Sequence, residues 1–174
     1  GESVAFGDEY VDEASKKVVQ RFENVVDFYG LYANTDVVAS SDSKNILDKW
    51  MLARVSETLQ RVTGGFDSYK LDEAVRPLED LIDDLSTWYL RRSRDRLKSD
   101  ENKEALSAMK FIILEIVKMS APVMPFLSER VYLSVSGDKE SVHLEAWSKF
   151  KYENKEVLDE MKTVREVVTS ALLE

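Results

Sequence analysis

The chain has 174 residues and a formal net charge of −9, with 24 lysines and arginines against 33 aspartates and glutamates. It has no cysteine and one histidine, which excludes disulfides, iron–sulfur clusters, cysteine-ligated zinc and any site that needs two imidazoles. No apolar run approaches the roughly 20 residues of a membrane span, and no signal-peptide pattern is present. The low counts of glycine and proline, 6 and 3, favour long helices over a many-stranded sandwich.

Apolar residues recur at three- and four-residue spacing along most of the chain, which is the pattern of helices with one buried face. The predicted helices cover residues 10–33, about 45–63, 71–97, about 101–120, 126–134 and 153–173. We expect Gly64 and Gly65 to end the second helix as a left-handed cap. Pro77 should kink the third helix or delay its regular part, because proline lacks an amide donor.

The remaining punctuation marks the second half of the chain. Ser99 and Asp100 are predicted to cap the start of the fourth helix, and the proline-containing run 121–125 breaks the chain before the fifth. Residues 136–152 are predicted to be a loop with a short extended segment near 141–147. The sequence therefore predicts an all-α fold, a bundle of about five to six helices.

We expect this bundle to be a piece of a larger protein. The chain begins at Gly1 rather than at methionine, and the apolar stripe of the last helix is still running near its end at Glu174.

The motifs of several enzyme classes are missing. The double glycine follows a helix, so its amides are not placed to cradle a phosphate. Glu140 and His143 have the spacing of a di-iron ligand pair, but such sites need two of these motifs on regular helices. There is no nucleophile elbow. We predict no catalytic and no metal-ligating residue in this chain.

One segment contrasts with the acidic remainder. Residues 88–98 read W-Y-L-R-R-S-R-D-R-L-K, with five basic residues and one acid. At about 100° per residue, Arg92 and Arg96 fall near the core-facing line of the helix. Arg91, Arg94 and Lys98 share the opposite, outward face.

Two interpretations of this segment stay open. In the first, the arginines complement the negative end of the helix dipole, and Arg92 or Arg96 pairs with buried acids between helices. In the second, Arg91, Arg94 and Lys98 form a strip that faces the phosphates of a nucleic acid, with aromatic side chains nearby for base stacking. Trp50 and Trp88 lie on apolar stripes, which favours the core over base stacking for both. A net charge of −9 opposes non-specific nucleic-acid binding but permits a local basic patch.

Four segments resemble a known family. Residues 48–55, D-K-W-M-L-A-R-V, resemble a segment of the anticodon-binding domain of the class I aminoacyl-tRNA synthetases for isoleucine, valine and leucine. Residues 84–96, D-L-S-T-W-Y-L-R-R-S-R-D-R, resemble the isoleucyl enzymes in particular. Residues 119–127 and 140–147 are similar to further segments of the same domain. The resemblance covers nearly the whole chain.

The resemblance implies that residues 1–174 form the anticodon-binding helical domain of a cytoplasmic class I isoleucine–tRNA ligase. That parent enzyme would use ATP with magnesium, and its catalytic signatures are absent from this chain, so the domain itself is expected to be non-catalytic. Its implied partners are the anticodon stem–loop of tRNA(Ile) and the catalytic domain of the same parent chain, with no membrane. The candidate RNA-binding residues are Arg91, Arg94 and Lys98, and also Arg92 and Arg96, which alternatively brace the helix from inside.

Two alternatives remain. The chain could be a helical scaffold or protein-interaction module with no RNA role. It could also fold but bind RNA only when the rest of the parent protein completes the site.

Overall fold

The computed structural model describes residues 8–34, 36–137 and 140–171, with side chains from residue 16 onward. Within these ranges there are helices but no strand, which confirms the predicted all-α fold. The α-helices are α1 (Asp8–Tyr32), α2 (Ile46–Asp67), α3 (Leu71–Asp83), α4 (Arg91–Lys98), α5 (Lys103–Ser120), α6 (Pro125–Ser136) and α7 (Lys155–Ala171). A π-helical segment, Asp84–Leu90, joins α3 to α4 in one continuous helical rod.

The core lies around α2 and α5. Helix α2 packs against α3, α5 and α7, and α5 packs against α6. Both helices bury the apolar stripes that the sequence predicts: Trp50, Met51, Val55, Leu59 and Val62 on α2, and Leu106, Met109, Ile112, Ile113, Ile116 and Val117 on α5. Among the helices of the described residues, none combines the length and apolar character needed to cross a lipid bilayer.

The prediction that Gly64 and Gly65 end α2 is wrong. Both glycines are helical, and α2 continues to Asp67. The left-handed residue is Tyr69, with φ 56°. The amide of Lys70 donates to the carbonyl of Gly65 at 2.8 Å, and the amide of Tyr69 donates to that of Phe66 at 3.0 Å. These two bonds are those of a Schellman cap, so the helix ends one turn later than predicted and without glycine in the strained position.

Gly65 has a packing role instead. A Cβ atom at this position would lie 2.6 Å from the backbone nitrogen of Ala74 and 2.8 Å from its Cα. Ala74 lies in α3 and is fully buried. The missing side chain therefore allows the backbones of α2 and α3 to approach closely where the two helices meet.

The helical rod departs from α-helical geometry at an unexpected place. Helix α3 is α-helical on both sides of Pro77, and the departure lies later, in the π-helical segment. A π-helix bonds i to i+5 and turns less per residue than an α-helix. The segment therefore rotates α4 relative to the positions that a continuous α-helix would give it.

The prediction that Ser99 and Asp100 cap α5 is also wrong. Helix α5 begins at Lys103, after Asn102. The hydroxyl of Ser99 donates to the carbonyl of Arg96 at 2.8 Å, and the Asn102 amide donates to the carbonyl of Leu97 at 3.0 Å. Both polar side chains thus satisfy the carbonyls at the end of α4 rather than the amides at the start of α5.

The predicted loop after α6 carries a short 3-10 turn, Val142–Leu144, inside the segment expected to be extended. The Ser141 side chain accepts from the amide of His143 at 3.2 Å, which favours this turn. The flanking residues Ser141 and Glu145 are extended. Beyond the turn, Trp147 donates its indole N–H to the hydroxyl of Thr63 at 2.9 Å, which ties the loop to α2.

The two neighbouring glycines of α2 offer a matched test of the close approach to α3. Gly65→Ala should lower the free energy of unfolding by about 1–3 kcal/mol, because the added Cβ overlaps backbone atoms of Ala74. Gly64 is exposed with open space around its Cβ position, so Gly64→Ala should raise that free energy by up to about 1 kcal/mol through helix propensity. Urea unfolding followed by circular dichroism measures both. Equal effects of the two substitutions would contradict the packing role.

Candidate nucleic-acid interface

Helix α4 presents a row of cations to water. Ser93 and Leu97 are fully buried, and this fixes which face of the helix points outward. Arg91, Arg92, Arg94 and Lys98 are exposed, and we call these four residues the basic ridge. Among the described residues, no carboxylate forms an ion pair with any of the four.

The arginine that braces α4 from inside is Arg96. Its guanidinium forms two hydrogen bonds with the Asp48 carboxylate, one of them from Nη1 to Oδ2 at 2.8 Å. The Asp48 side chain is fully buried, whereas that of Arg96 is 25% exposed. The prediction that an arginine on the core-facing line pairs with an acid between helices is therefore confirmed for Arg96. It is wrong for Arg92, which the π-helical segment leaves at the surface.

The Asp48 carboxylate also accepts hydrogen bonds from two hydroxyl groups. The hydroxyls of Tyr89 and Ser43 donate to its two oxygens at 2.8 Å and 2.7 Å. Burial, and then the Asp48 charge and hydrogen bond, raise the pKa of Tyr89 well above its usual value, so the phenol keeps its proton and remains a donor. Burial lowers the pKa of Arg96, but its hydrogen bond with Asp48 and the Asp48 charge outweigh burial, and the net direction is upward.

Trp88 organises one flank of the ridge. The guanidinium carbon of Arg92 lies 3.7 Å from the centroid of the Trp88 ring, and that of Arg165, on α7, lies 5.0 Å from it. Both distances are within the range of a cation–π interaction. Burial, and then the charges of Arg91 and Arg165, lower the pKa of Arg92, because like charges nearby disfavour its protonated form.

A pair of aromatic rings from α1 lies on the other flank of the ridge. The guanidinium carbon of Arg94 is 5.5 Å from the Phe28 ring of α1. Phe28 in turn contacts Tyr32, with ring centroids 5.1 Å apart. Tyr32 is 36% exposed. The ridge therefore has aromatic side chains on both sides, Trp88 from the rod on one side and Phe28 with Tyr32 from α1 on the other.

A second buried acid joins α7 to the rod. Asp84 accepts a hydrogen bond from Arg54 Nε at 2.9 Å and one from Arg165 Nη1 at 2.5 Å. Arg54 also pairs with Glu57. Arg165 lines a groove of about 590 Å3 between α2 and α7, which holds acidic and basic side chains together.

A family model described as the anticodon-binding domain of tRNA ligase matches residues 48–172. The chain belongs to this family. The resemblance inferred from its sequence motifs is therefore confirmed.

Several isoleucine–tRNA ligases are similar to this anticodon-binding domain. The ligase of Clostridium novyi is 36% identical over 83% of this chain and 15% of its own length. That of Deinococcus radiodurans is 33% identical over 97% of this chain and 16% of its own length. That of Picrophilus torridus is 38% identical over 79% and 14%. The chain thus spans only 14–16% of the length of these curated relatives.

Most of the motif residues of this anticodon-binding domain serve its architecture. The segment 48–55 supplies Asp48 and Arg54, and the segment 84–96 supplies their partners Arg96 and Asp84. The two segments are thus held together by reciprocal ion pairs. The arginines of 84–96 that have no such partner, Arg91, Arg92 and Arg94, are exposed.

Sequence reasoning missed Arg165 and Phe28. Neither lies in the four motif segments described above, and Arg165 sits on the last helix, far along the chain from Trp88. Their places beside the ridge depend on how α7 and α1 pack against the rod. The acidic surroundings of Arg165 in the sequence give no signal of its contact with Trp88.

Two arginines of this anticodon-binding domain allow the stability contributed by a buried ion pair to be compared with that of an exposed cation–π contact. Arg96→Ala should lower the free energy of unfolding by about 3–5 kcal/mol, because it leaves the Asp48 carboxylate buried without its cation. Arg92→Ala removes one exposed cation–π contact and should cost about 0.5–1 kcal/mol. Urea unfolding of the two variants gives the comparison. A loss below 1 kcal/mol for Arg96→Ala would show that the buried pair does not stabilise the fold.

Proposed function

We propose that this domain binds the anticodon stem–loop of tRNA(Ile) through the basic ridge. In this proposal residues 1–174 are one domain of a larger cytoplasmic isoleucine–tRNA ligase of class I. The domain itself is non-catalytic, and it positions the tRNA for aminoacylation by a catalytic domain of the same parent chain that uses ATP with magnesium. The exposed cations of α4, without carboxylate partners among the described residues, are the observation that carries the proposal.

The chemistry of the ridge suits an RNA backbone. Guanidinium groups form paired hydrogen bonds with phosphate oxygens, and an ammonium group acts as a point charge. Eight helical residues extend about 12 Å, and one strand of a B-form duplex carries a phosphate for each rise of roughly 3.4 Å along the axis. The ridge therefore reaches more than one phosphate at a time. Phosphate contacts of this kind fix the orientation of the RNA, and bases are read elsewhere.

The acidic charge of the whole chain is compatible with this role. At about 0.1 M salt, charges on the surface are screened beyond about 10 Å, so the local field at the ridge depends on its own neighbours. Acidic surfaces away from the ridge repel RNA that approaches in other orientations. A focused ridge on an acidic body therefore favours one binding orientation over many.

The proposal predicts a selective loss of RNA affinity on the ridge. Arg94→Ala and Lys98→Ala should each weaken binding of a labelled tRNA(Ile) anticodon stem–loop. Each should also reduce the slope of log K against log salt by about one unit, because each removes one phosphate contact. Fluorescence anisotropy at several NaCl concentrations measures both quantities.

Arg76→Ala is the matched control. Arg76 is exposed and lies on the same rod, about 25 Å from Arg94 along the helix axis, and its removal should leave both quantities unchanged. If the isolated chain binds weakly, the same substitutions in the full parent enzyme give the test. Unchanged affinity and slope for Arg94→Ala and Lys98→Ala in both proteins would refute the proposal and favour a scaffold role without RNA.

A further inference from the structure

Two guanidinium groups meet beside Trp88, and they come from two separate elements. Arg92 belongs to α4 and Arg165 belongs to α7, and both lie against the Trp88 ring. Since like charges at short range oppose one another, an anion between the two groups would relieve their repulsion.

The carboxylate that contacts Arg165 does not neutralise all the positive charge beside Trp88. Asp84 is buried and shares its two oxygens between Arg54 and Arg165. Arg91 and Arg92 have no carboxylate partner among the described residues. Where α4 and α7 come together beside Trp88, no ion pair among the described residues therefore balances the charges of Arg91 and Arg92.

The ring of Trp88 contacts the guanidinium groups of both Arg92 and Arg165. Arg92 lies 3.7 Å and Arg165 5.0 Å from its centroid. Trp88 is half-buried, and the guanidinium groups of Arg92 and Arg165 lie against its ring. The ring thus orients guanidinium groups, an arrangement that lowers the entropic cost of binding an anion.

Arg165 has donors left for a ligand. A guanidinium carries five N–H donors, and Nη1 of Arg165 is bonded to Asp84. Its side chain is 34% exposed, so the remaining donors can reach a group that approaches from solvent. Asp84 in this way fixes the position of Arg165 without using up its capacity to bind.

We propose that Arg92 and Arg165 form a clamp for one phosphodiester group of the bound RNA, so that α7 as well as α4 contacts the RNA. This inference rests on the proposed function, since it assumes that RNA lies along the basic ridge. A phosphate in the clamp replaces the repulsion between the two arginines with charge-assisted hydrogen bonds.

The clamp would also stabilise the position of α7 beside the rod. Val157, in its first turn, is buried, but Val164 and Val167 are 50% and 63% exposed, so the later part of the helix has little apolar anchorage. Arg165 provides the ion pair that connects this part to the rod. A phosphate held by Arg165 and Arg92 together would cross-link α7 to α4.

The test measures binding of the tRNA(Ile) anticodon stem–loop to four variants of this chain across a range of NaCl concentrations. Arg165→Ala and Arg92→Ala should each weaken binding about five- to tenfold at 0.1 M NaCl and reduce the salt slope by about one unit, because each removes a phosphate contact. Arg165→Lys keeps a charge near Asp84 and should retain the slope while losing part of the affinity. Arg76→Ala should change neither quantity.

Asp84→Asn separates direct binding from a structural effect. It removes the ion pair but leaves the guanidinium, so it should lower the affinity less than Arg165→Ala does and should keep the salt slope of the unmodified chain, and circular dichroism confirms that the variant is folded. If Arg165 acts only by holding α7 in place, Asp84→Asn weakens binding as much as Arg165→Ala, and the clamp is refuted. Where Asp84→Asn does not fold, Arg165→Lys decides: a slope reduced as much as in Arg165→Ala refutes the clamp.

Two further outcomes are distinguishable. If Arg94→Ala and Lys98→Ala weaken binding but Arg92→Ala and Arg165→Ala do not, the clamp is wrong and the proposed function stands. If none of these four substitutions weakens binding, both the clamp and the proposed function are refuted. Inorganic phosphate, titrated into the same chain with tryptophan fluorescence as the readout, should not saturate at micromolar concentrations. Saturation there, abolished by Arg165→Ala, would identify a free-anion site and overturn the assignment to an RNA backbone.

Discussion

The arrangement of this domain depends on one buried carboxylate, that of Asp48. Removing a carboxylate from water costs several kcal/mol, and the cost is recovered only when good hydrogen bonds surround the charge. Here Arg96, Tyr89 and Ser43 supply them. Since Arg96 and Tyr89 belong to the rod and Asp48 to α2, satisfying this single charge fixes the rotation of the rod against α2.

That rotation decides which arginines are free. Asp48 binds Arg96, and Asp84 binds Arg54 and Arg165. Arg91, Arg92 and Arg94 form no ion pair with an acid among the described residues. The two buried acids thus sort a single arginine-rich segment into a part that holds the fold together and a part that faces water. A stretch of like charges that would repel itself in an isolated helix is tolerated because its strongest contacts are internal.

The sequence predicted the helices better than their ends. Periodicity identified the buried stripes of α2 and α5, because a helix with one buried face must repeat its apolar residues every three or four positions. Gly65 was misinterpreted as a cap because its requirement is tertiary: the backbone of Ala74 lies against it. Ser99 was misinterpreted for a similar reason, since one serine between two helices can serve either end, and only the structure shows that it serves the carbonyls of α4.

The candidate site was predictable in composition but not in geometry. The sequence alone marks the arginine-rich segment as unusual in an acidic chain, and regular helical angles place Arg91, Arg94 and Lys98 on one outward face. The same angles place Arg92 inward, and this is where they fail, because the π-helical segment 84–90 changes the rotation per residue just before it. Local sequence rules assume one helical period. A departure of a few residues is enough to move a side chain from the core to the surface.

The π-helical segment therefore affects which side chains lie next to one another at the candidate site. It begins at Asp84, which anchors Arg165, and ends immediately before Arg91, so it spans the residues that bring α7 and α4 together. Trp88 lies within it and contacts an arginine from each of those helices. The Arg96–Asp48 pair and the contact of Trp88 with Arg165 both occur around this wider turn, and Arg92 is exposed beside the same ring.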